Sequence, residues 1–285
     1  MGRHRADFRG CLDGVAARTA RVTSGWHHAF AVPAHGQSPH LRECLASLRA
    51  QTVPSPVFIS TSTPSPWLGA LAAEFDATLV AHGPNRGIGH DWNQAMAAAP
   101  ATWVTLAHQD DVYLPHFVAE TMRCVERQPR ADLVMTGYAE LAHGRARTWT
   151  PMLAVKRLLE EQAFLGREAL SRRRSKRRLL AFGCAIPCPT VTLRRDRALG
   201  LFREDLKVDL DWDAWLRLAD GQGAFARVRR LCMLHRIHAD SETSDGIRAG
   251  VRAREDRAMF ERLWPAPIAR MLARLYAVGY EAGKP

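Results

Sequence analysis

The spacing of apolar positions predicts alternating strands and helices over the first 140 residues. HHAFAVPA (27–34) is a short apolar run, the pattern of a buried strand. Ser38 and Pro39 read as the cap and first turn of a helix. Leu41, Cys44, Leu45 and Leu48 follow at i, i+3, i+4 and i+7, one apolar helical face, and Pro54 and Pro56 end the element. VFIST (57–61) predicts a second strand. Leu68, Leu71, Ala72 and Phe75 predict a short helix, and ATLVAH (77–82) a third strand. Gly and Asn residues mark a turn before a helix over 88–99, which Pro100 stops. ATWVTLA (101–107) is the next strand. Leu114, Phe117, Val118, Thr121, Met122 and Val125 line another amphipathic helix, and ADLVMTGYAEL (131–141) is a strand. Such alternation implies an α/β fold, a mostly parallel sheet covered on both faces.

The second half is less regular. Residues 154–165 read as helix and lead into a basic run. CAIPCPTVTLRRD (184–196) holds a proline-bounded turn and a strand. A helix over 209–219 places Trp212, Trp215, Leu216 and Ala219 on one face, where tryptophans at helical spacing belong to the core. FARVRRLCMLHRIH (225–238) reads as two short strands. The last 40 residues read as helices broken by Pro265 and Pro267.

Composition narrows the class. A chain of 285 residues with 47% hydrophobic and 24% charged positions is that of a soluble globular protein. No apolar stretch reaches the ~20 residues of a membrane span, and the N-terminus lacks the apolar run of a secretory leader. The six cysteines form no C-x-x-C pair. Cys184 and Cys188 are a weak zinc signal, and scattered apolar-flanked thiols suit a reducing cytoplasm. The net charge of +11 is concentrated: residues 167–178 carry +6 and residues 1–25 carry +3. Charge placed in an N-terminal extension and a loop, with no RRM, KH, zinc-finger or helix-turn-helix signature, argues against a nucleic-acid binder. It is read as a solvated loop, or as a contact for an anionic membrane surface or anionic acceptor.

Four segments carry candidate chemistry. His108-Gln109-Asp110-Asp111 follows an apolar strand, where ligands bind in parallel α/β sheets. Adjacent carboxylates there suit Mg²⁺ or Mn²⁺, or else cap a helix. Asp209, Asp211 and Asp213 open a helix, where they complement its dipole or supply a general base. His235 and His238 are spaced so that both point to one site. The turn Asn85-Arg86-Gly87-Ile88-Gly89 is a weak signal for phosphate contact.

In order, these pieces resemble family 2 glycosyltransferases of the GT-A fold, over roughly residues 28–245. The resemblance rests on the first strand and helix, the Asn85-Arg86-Gly87 turn with Asp91-Trp92-Asn93, and the His108-Gln109-Asp110-Asp111 segment. It continues in Asp211-Trp212-Asp213-Ala214-Trp215-Leu216-Arg217 and in Arg236-Ile237-His238-Ala239-Asp240-Ser241. Two departures stand out. His108 replaces the family's usual first acid, and Ser60-Thr61-Ser62-Thr63 stands where an Asp usually contacts the nucleotide base.

The resemblance implies an inverting, hexosyltransferase-like enzyme that moves sugar from a nucleotide-diphosphate donor to an acceptor hydroxyl, in bacterial cell-surface polysaccharide or glycolipid synthesis. It implies a Mn²⁺ or Mg²⁺ ion on Asp110, Asp111 and His238, and Asp211 as base, with Asp209 or Asp213 as substitutes. It places Pro33, His35, Ser60, Thr61, Asn85, Gly87, Asn93, His108, Gln109 and Arg236 around the donor. The expected organisation is a flexible basic extension (1–25), a nucleotide-sugar-binding half (26–140), an acceptor and catalytic half of the same domain (141–245), and C-terminal helices (246–285). The acceptor is a glycan or lipid-linked, and the location is cytoplasmic, with peripheral contact at the inner membrane face through 167–178. The competing reading is a non-catalytic relative that binds a sugar nucleotide or a partner.

Overall fold

The computed structural model describes residues 26–238 and 250–281. The basic extension over 1–25, Cys11 and Ser241 lie outside the described residues. The first half alternates as its pattern predicts: β1 (Trp26–Pro33), α1 (Leu41–Arg49), β2 (Val57–Thr61), α2 (Pro66–Glu74), β3 (Thr78–Ala81), α3 (Ile88–Ala98), β4 (Ala101–Leu106), β5 (Val112–Tyr113), α4 (Phe117–Arg127), β6 (Ala131–Ala142) and β7 (Arg145–Arg147). The rest comprises α5 (Pro151–Phe164), β8 (Ala169–Leu170), α6 (Arg173–Leu179), β9 (Val191–Arg194), α7 (Arg195–Ala198), α8 (Leu210–Asp220), β10 (Ala224–Arg236), α9 (Val251–Glu261) and α10 (Ala266–Glu281).

Ten strands form one sheet in the order β3-β2-β1-β4-β9-β6-β10-β5, with β7 on β6 and β8 on β10. The ladders β3/β2, β2/β1, β1/β4 and β6/β10 are parallel. β9 runs antiparallel to both β4 and β6 and so joins the two parallel sets. Alternate side chains of β1 enter opposite layers. Ala29 and Ala31 belong to the same buried cluster as Trp92 and Met96 of α3 and Trp212 and Trp215 of α8. Phe30 and Val32 pack with Leu41 and Leu45 of α1 and with Tyr113 and Phe117. Both tryptophans of α8 are fully buried, as their helical spacing predicts.

Local signals set the element boundaries, with four departures from the expectations. Ser38 does not cap α1: its Oγ accepts the His40 N–H, Leu41 N–H bonds the Ser38 carbonyl, and this turn delays the helix to Leu41. Helix α5 starts earlier than 154, because Thr150 accepts the Leu153 N–H at 3.2 Å and Pro151 fills the first turn. Where the sequence pattern predicts two strands over 225–238, there is one 13-residue strand, Ala224–Arg236, with register shifts between Val228 and Met233. Gly137 makes that irregularity possible, since a Cβ there would lie 2.7 Å from the carbonyl oxygens of Arg229 and Arg230.

The fourth departure concerns the basic run. Residues 167–178 are not a solvated loop: they include β8 and most of α6. Lys176 is 0% exposed, and its Nζ donates to the carbonyls of Gly223 (2.7 Å), Gly221 (2.8 Å) and Leu218 (3.4 Å). Arg173 and Arg177 pair with Asp220 at the end of α8. A share of the run's charge therefore anchors α6 to α8. Among the described residues no helix is long and apolar enough to cross a membrane. All five described cysteines are free, and Cys44, Cys124, Cys188 and Cys232 are buried, as their apolar flanks predict.

Candidate active site

The segment after β4 emerges at the carboxyl edge of the parallel strands, and four side chains there are tied to distant elements. Asp111 is fully buried. Its Oδ1 accepts the backbone N–H of Arg236 (2.7 Å) and faces His235 Nδ1 (3.0 Å). Asp110 Oδ2 lies 2.8 Å from His238 Nε2, and the Asp110 carbonyl accepts Arg236 Nε at 2.7 Å. Burial alone would raise the Asp110 pKa. The His238 hydrogen bond and the nearby His108 and His235 outweigh it and hold the carboxyl at about 2. Burial opposes charge on His235, yet the Asp111 carboxylate overrides it and raises the imidazole.

His108 stacks against Trp92 at 4.9 Å, and its Nε2 is buried without a hydrogen-bond partner. Burial lowers its pKa and favours the neutral imidazole, a competent metal ligand. Donor atoms of His108, Asp110 and Asp111 all lie within 4.8 Å of one another. An orphaned imidazole nitrogen beside two carboxylates fits a divalent cation. This set differs from the expected Asp110, Asp111 and His238. His108 joins it, while His238 spends Nε2 on orienting Asp110. His238 lies two residues past the end of β10, so strand alternation with His235 does not account for its place at the site.

The three acids around the start of α8 separate by environment. Asp213 is 1% exposed, and Arg217 (2.7 Å) and Arg262 (2.6 Å) both pair with it, which commits it to holding α8. Asp209 faces Asp256 of α9, and burial plus that neighbour's charge push its pKa well up. Asp211 accepts only its neighbour Trp212 N–H, at 2.7 Å, among backbone donors. Burial raises its pKa, partly offset by that bond and by Lys156. It lies close enough to His108 to act on that ring's pKa. Helix α9 locks the approach to α8: the Glu255 carboxylate accepts the N–H groups of Lys207, Val208 and Asp209.

The remaining predicted residues fall into two groups. Around the carboxyl end of β1 and β2, Pro33 pairs in register with Ser60. Gln109 brackets the His35 backbone, accepting its N–H (3.2 Å) and donating to its carbonyl (3.4 Å). Ser60 Oγ is buried without a partner, and Thr61 Oγ1 accepts the Thr63 N–H at 3.0 Å. Around α3, Asn85 Oδ1 accepts the Gly87 N–H at 2.8 Å, and Gly87 sits at φ +100° as the residue before the helix. Asn93 is turned elsewhere: both ends of its amide bond the Phe202 backbone, at 2.7 and 3.0 Å. Gly89 allows this docking, since a Cβ there would lie 2.4 Å from the Arg203 carbonyl oxygen. Arg236 also pairs with Glu43 of α1. Sequence reading missed Glu43, Lys156 and Glu255, because ordinary surface-type residues on helices carry no motif until the helices pack.

The sequence model of the family described as Glycosyl transferase family 2 matches residues 30–201. No curated protein matches the chain. Among solved structures, residues 1–349 of S. aureus TarS in complex with UDP-GlcNAc align with a TM-score of 0.60 at 14% identity, over 86% of this chain and 70% of that one. A mannosyltransferase from Pyrobaculum calidifontis in complex with GDP-Man and Mn²⁺ aligns with a TM-score of 0.58 at 15% identity, over 98% of this chain and 85% of that one. At such identities the likeness is one of fold, the GT-A arrangement of a central, mostly parallel sheet flanked by helices.

Proposed function

Since the chain belongs to glycosyl transferase family 2 and is a glycosyltransferase, we propose that it moves a hexosyl group from a nucleotide-diphosphate donor to an acceptor hydroxyl with inversion. The observation that carries this reading is the grouping of His108, Asp110 and Asp111 with Asp211 nearby, since two arginines hold Asp213 and Asp209 faces Asp256. The complexes of the two solved relatives with UDP-GlcNAc and with GDP-Man and Mn²⁺ support it.

The half over 26–140 takes the donor, and the half over 141–245 takes the acceptor. His108, Asp110 and Asp111 would hold Mn²⁺ or Mg²⁺, and the ion would offset negative charge on the diphosphate. His238 orients Asp110, and His235 with the Arg236 N–H orients Asp111. Asp211 accepts the proton of the acceptor hydroxyl as that oxygen bonds to the anomeric carbon, whose bond to the diphosphate oxygen breaks so that the nucleoside diphosphate leaves with the electron pair. One displacement with one base inverts that carbon. Pro33, His35, Ser60, Thr61, Asn85, Gly87 and Gln109 line the donor side, and Asn93 acts by holding the Phe202 backbone. The acceptor is a glycan or lipid-linked, and synthesis of bacterial surface polysaccharide or glycolipid is the process that fits. Membrane approach falls to the exposed arginines of 167–178, since Lys176 is spent inside the fold.

Calorimetry of the protein against UDP, GDP and dTDP, with and without Mn²⁺, tests the reading. Mn²⁺-dependent binding of one nucleotide that Asp110→Asn abolishes is the expected result. A protein that binds none of them, with or without the ion, is not a nucleotide-sugar transferase.

A further inference from the structure

Three segments converge beyond the carboxyl ends of β2 and β3: Ser62 directly after β2, His82 directly after β3, and Asp91 in the first turn of α3. Asp91 is 8% exposed. Its Oδ2 accepts the Ser62 hydroxyl at 2.9 Å, while its Oδ1 is buried and accepts nothing. The nearest cationic-type atom to Oδ1 is His82 Nε2, at 3.9 Å, outside hydrogen-bond reach. The His82 side chain is 8% exposed, and both of its ring nitrogens are buried without partners. The neighbouring His90 ring packs on His82 at 5.8 Å, but its Nδ1 is taken by Glu204 at 3.0 Å.

An acid in the first turn of a helix is favoured by the helix dipole, which accounts for a charge at Asp91. It does not account for a carboxylate oxygen and a whole imidazole that face each other unsatisfied. Buried polar atoms without partners are costly and point to a missing ligand. Their location, outside the carboxyl ends of parallel strands, is where such sheets bind ligands. It is also joined to the catalytic group, because Trp92, next to Asp91 in the chain, stacks on His108.

We infer that Asp91 and His82 are the base-reading residues of the donor site, and that they select a nucleobase with a ring N–H beside a carbonyl, as in uracil or guanine. The inference rests on the nucleotide-sugar reading above. A carboxylate oxygen only accepts, so the atom facing Asp91 must carry hydrogen. Uracil N3–H and guanine N1–H meet that demand. Cytosine N3 and adenine N1 carry a lone pair there and are repelled. His82, kept neutral because burial lowers its pKa, offers one donor and one acceptor. Its donor meets the carbonyl next to the ring N–H. Ser62 fixes the rotamer of Asp91, so the hydroxyl-rich segment after β2 serves the carboxylate rather than the base.

The test is calorimetry of the full chain with UDP, GDP, CDP and ADP in the presence of Mn²⁺, for the wild type, Asp91→Asn and His82→Gln, with folding followed by circular dichroism. The wild type is expected to prefer UDP or GDP. Asp91→Asn should weaken that nucleotide by about tenfold or more, and should narrow its advantage over CDP and ADP, because an amide can donate to a bare ring nitrogen. If Asp91→Asn does not fold, His82→Gln supplies the same comparison. A folded variant with the wild-type base preference overturns the inference and leaves the transferase reading standing. So does a wild type that prefers CDP or ADP. A wild type that binds no nucleotide overturns both.

Discussion

The Asp111 carboxylate accepts the Arg236 backbone N–H at 2.7 Å and so joins the turn after β4 to the end of β10. Asp111→Ala leaves that N–H and the His235 ring facing a buried void. The expected loss is about 2–4 kcal/mol, read as a lower denaturant midpoint at unchanged slope. Asp110 is partly exposed, so Asp110→Ala should cost clearly less stability while removing cation binding. Equal losses in the two variants would contradict this division of labour.

Three backbone carbonyls saturate the buried Lys176 ammonium. Lys176→Met keeps the apolar stem and strands those carbonyls, and should cost about 2–3 kcal/mol in urea melts. Arg174→Glu, at an exposed position on the same helix, should stay within about 0.5 kcal/mol of wild type. If Lys176→Met were silent, the run would be a surface feature after all.

A buried base gives a pH signature. Burial holds the Asp211 pKa above the ordinary 3.8, and a base acts only when ionised. The kcat/KM profile should therefore rise through that elevated value and level off above it. Lys156→Met, by removing a nearby positive charge, should shift the limb to higher pH. Asp211→Asn should lower kcat by about 10²–10⁴-fold with nucleotide affinity retained. An unshifted limb in Lys156→Met would assign the titration to another group.

Asp209 and Asp256 face each other with Arg252, Glu255 and Asp211 close by, and burial raises both, Asp256 to about 6. A carboxyl raised in the fold keeps its proton there between 3.8 and about 6, so the stability it contributes at low pH is lost as pH climbs through that window. Asp256→Asn cannot ionise. Relative to wild type it should gain on the order of 1 kcal/mol in unfolding free energy across that interval. A gap between the two proteins that is constant with pH would exclude the carboxyl pair as its source.

The alternation of the first half was legible because both faces of the parallel strands are buried and each crossover helix carries a clean apolar stripe. The motif order also singled out His108, Asp110 and Asp211 as candidates, and the fold brings them near one another. What escaped the sequence was the identity of partners. Nothing in REALSRRRSKRR separates Lys176, which enters the core, from Arg174, which stays out. The three acids near α8 looked interchangeable until Asp256 of α9 and Arg262 just after it, some 40–50 residues later, engaged two of them. The strand over 225–238 looked broken because its register shifts at residues 228–233 interrupt the period, and the structure keeps it whole through Gly137.

The antiparallel strand β9 lies at the middle of the sheet, between β4 and β6, although it comes some fifty residues after β6 in the chain. During synthesis the ribosome releases β1 to β6 long before residues 191–194 appear. Until then β4 and β6 each expose an unpaired edge to solvent. The nascent chain thus carries its own aggregation hazard for the length of two helices, α5 and α6. Polypeptides cut short between residues 142 and 191 should be dependent on chaperones, whereas those that reach 194 have closed the central ladder.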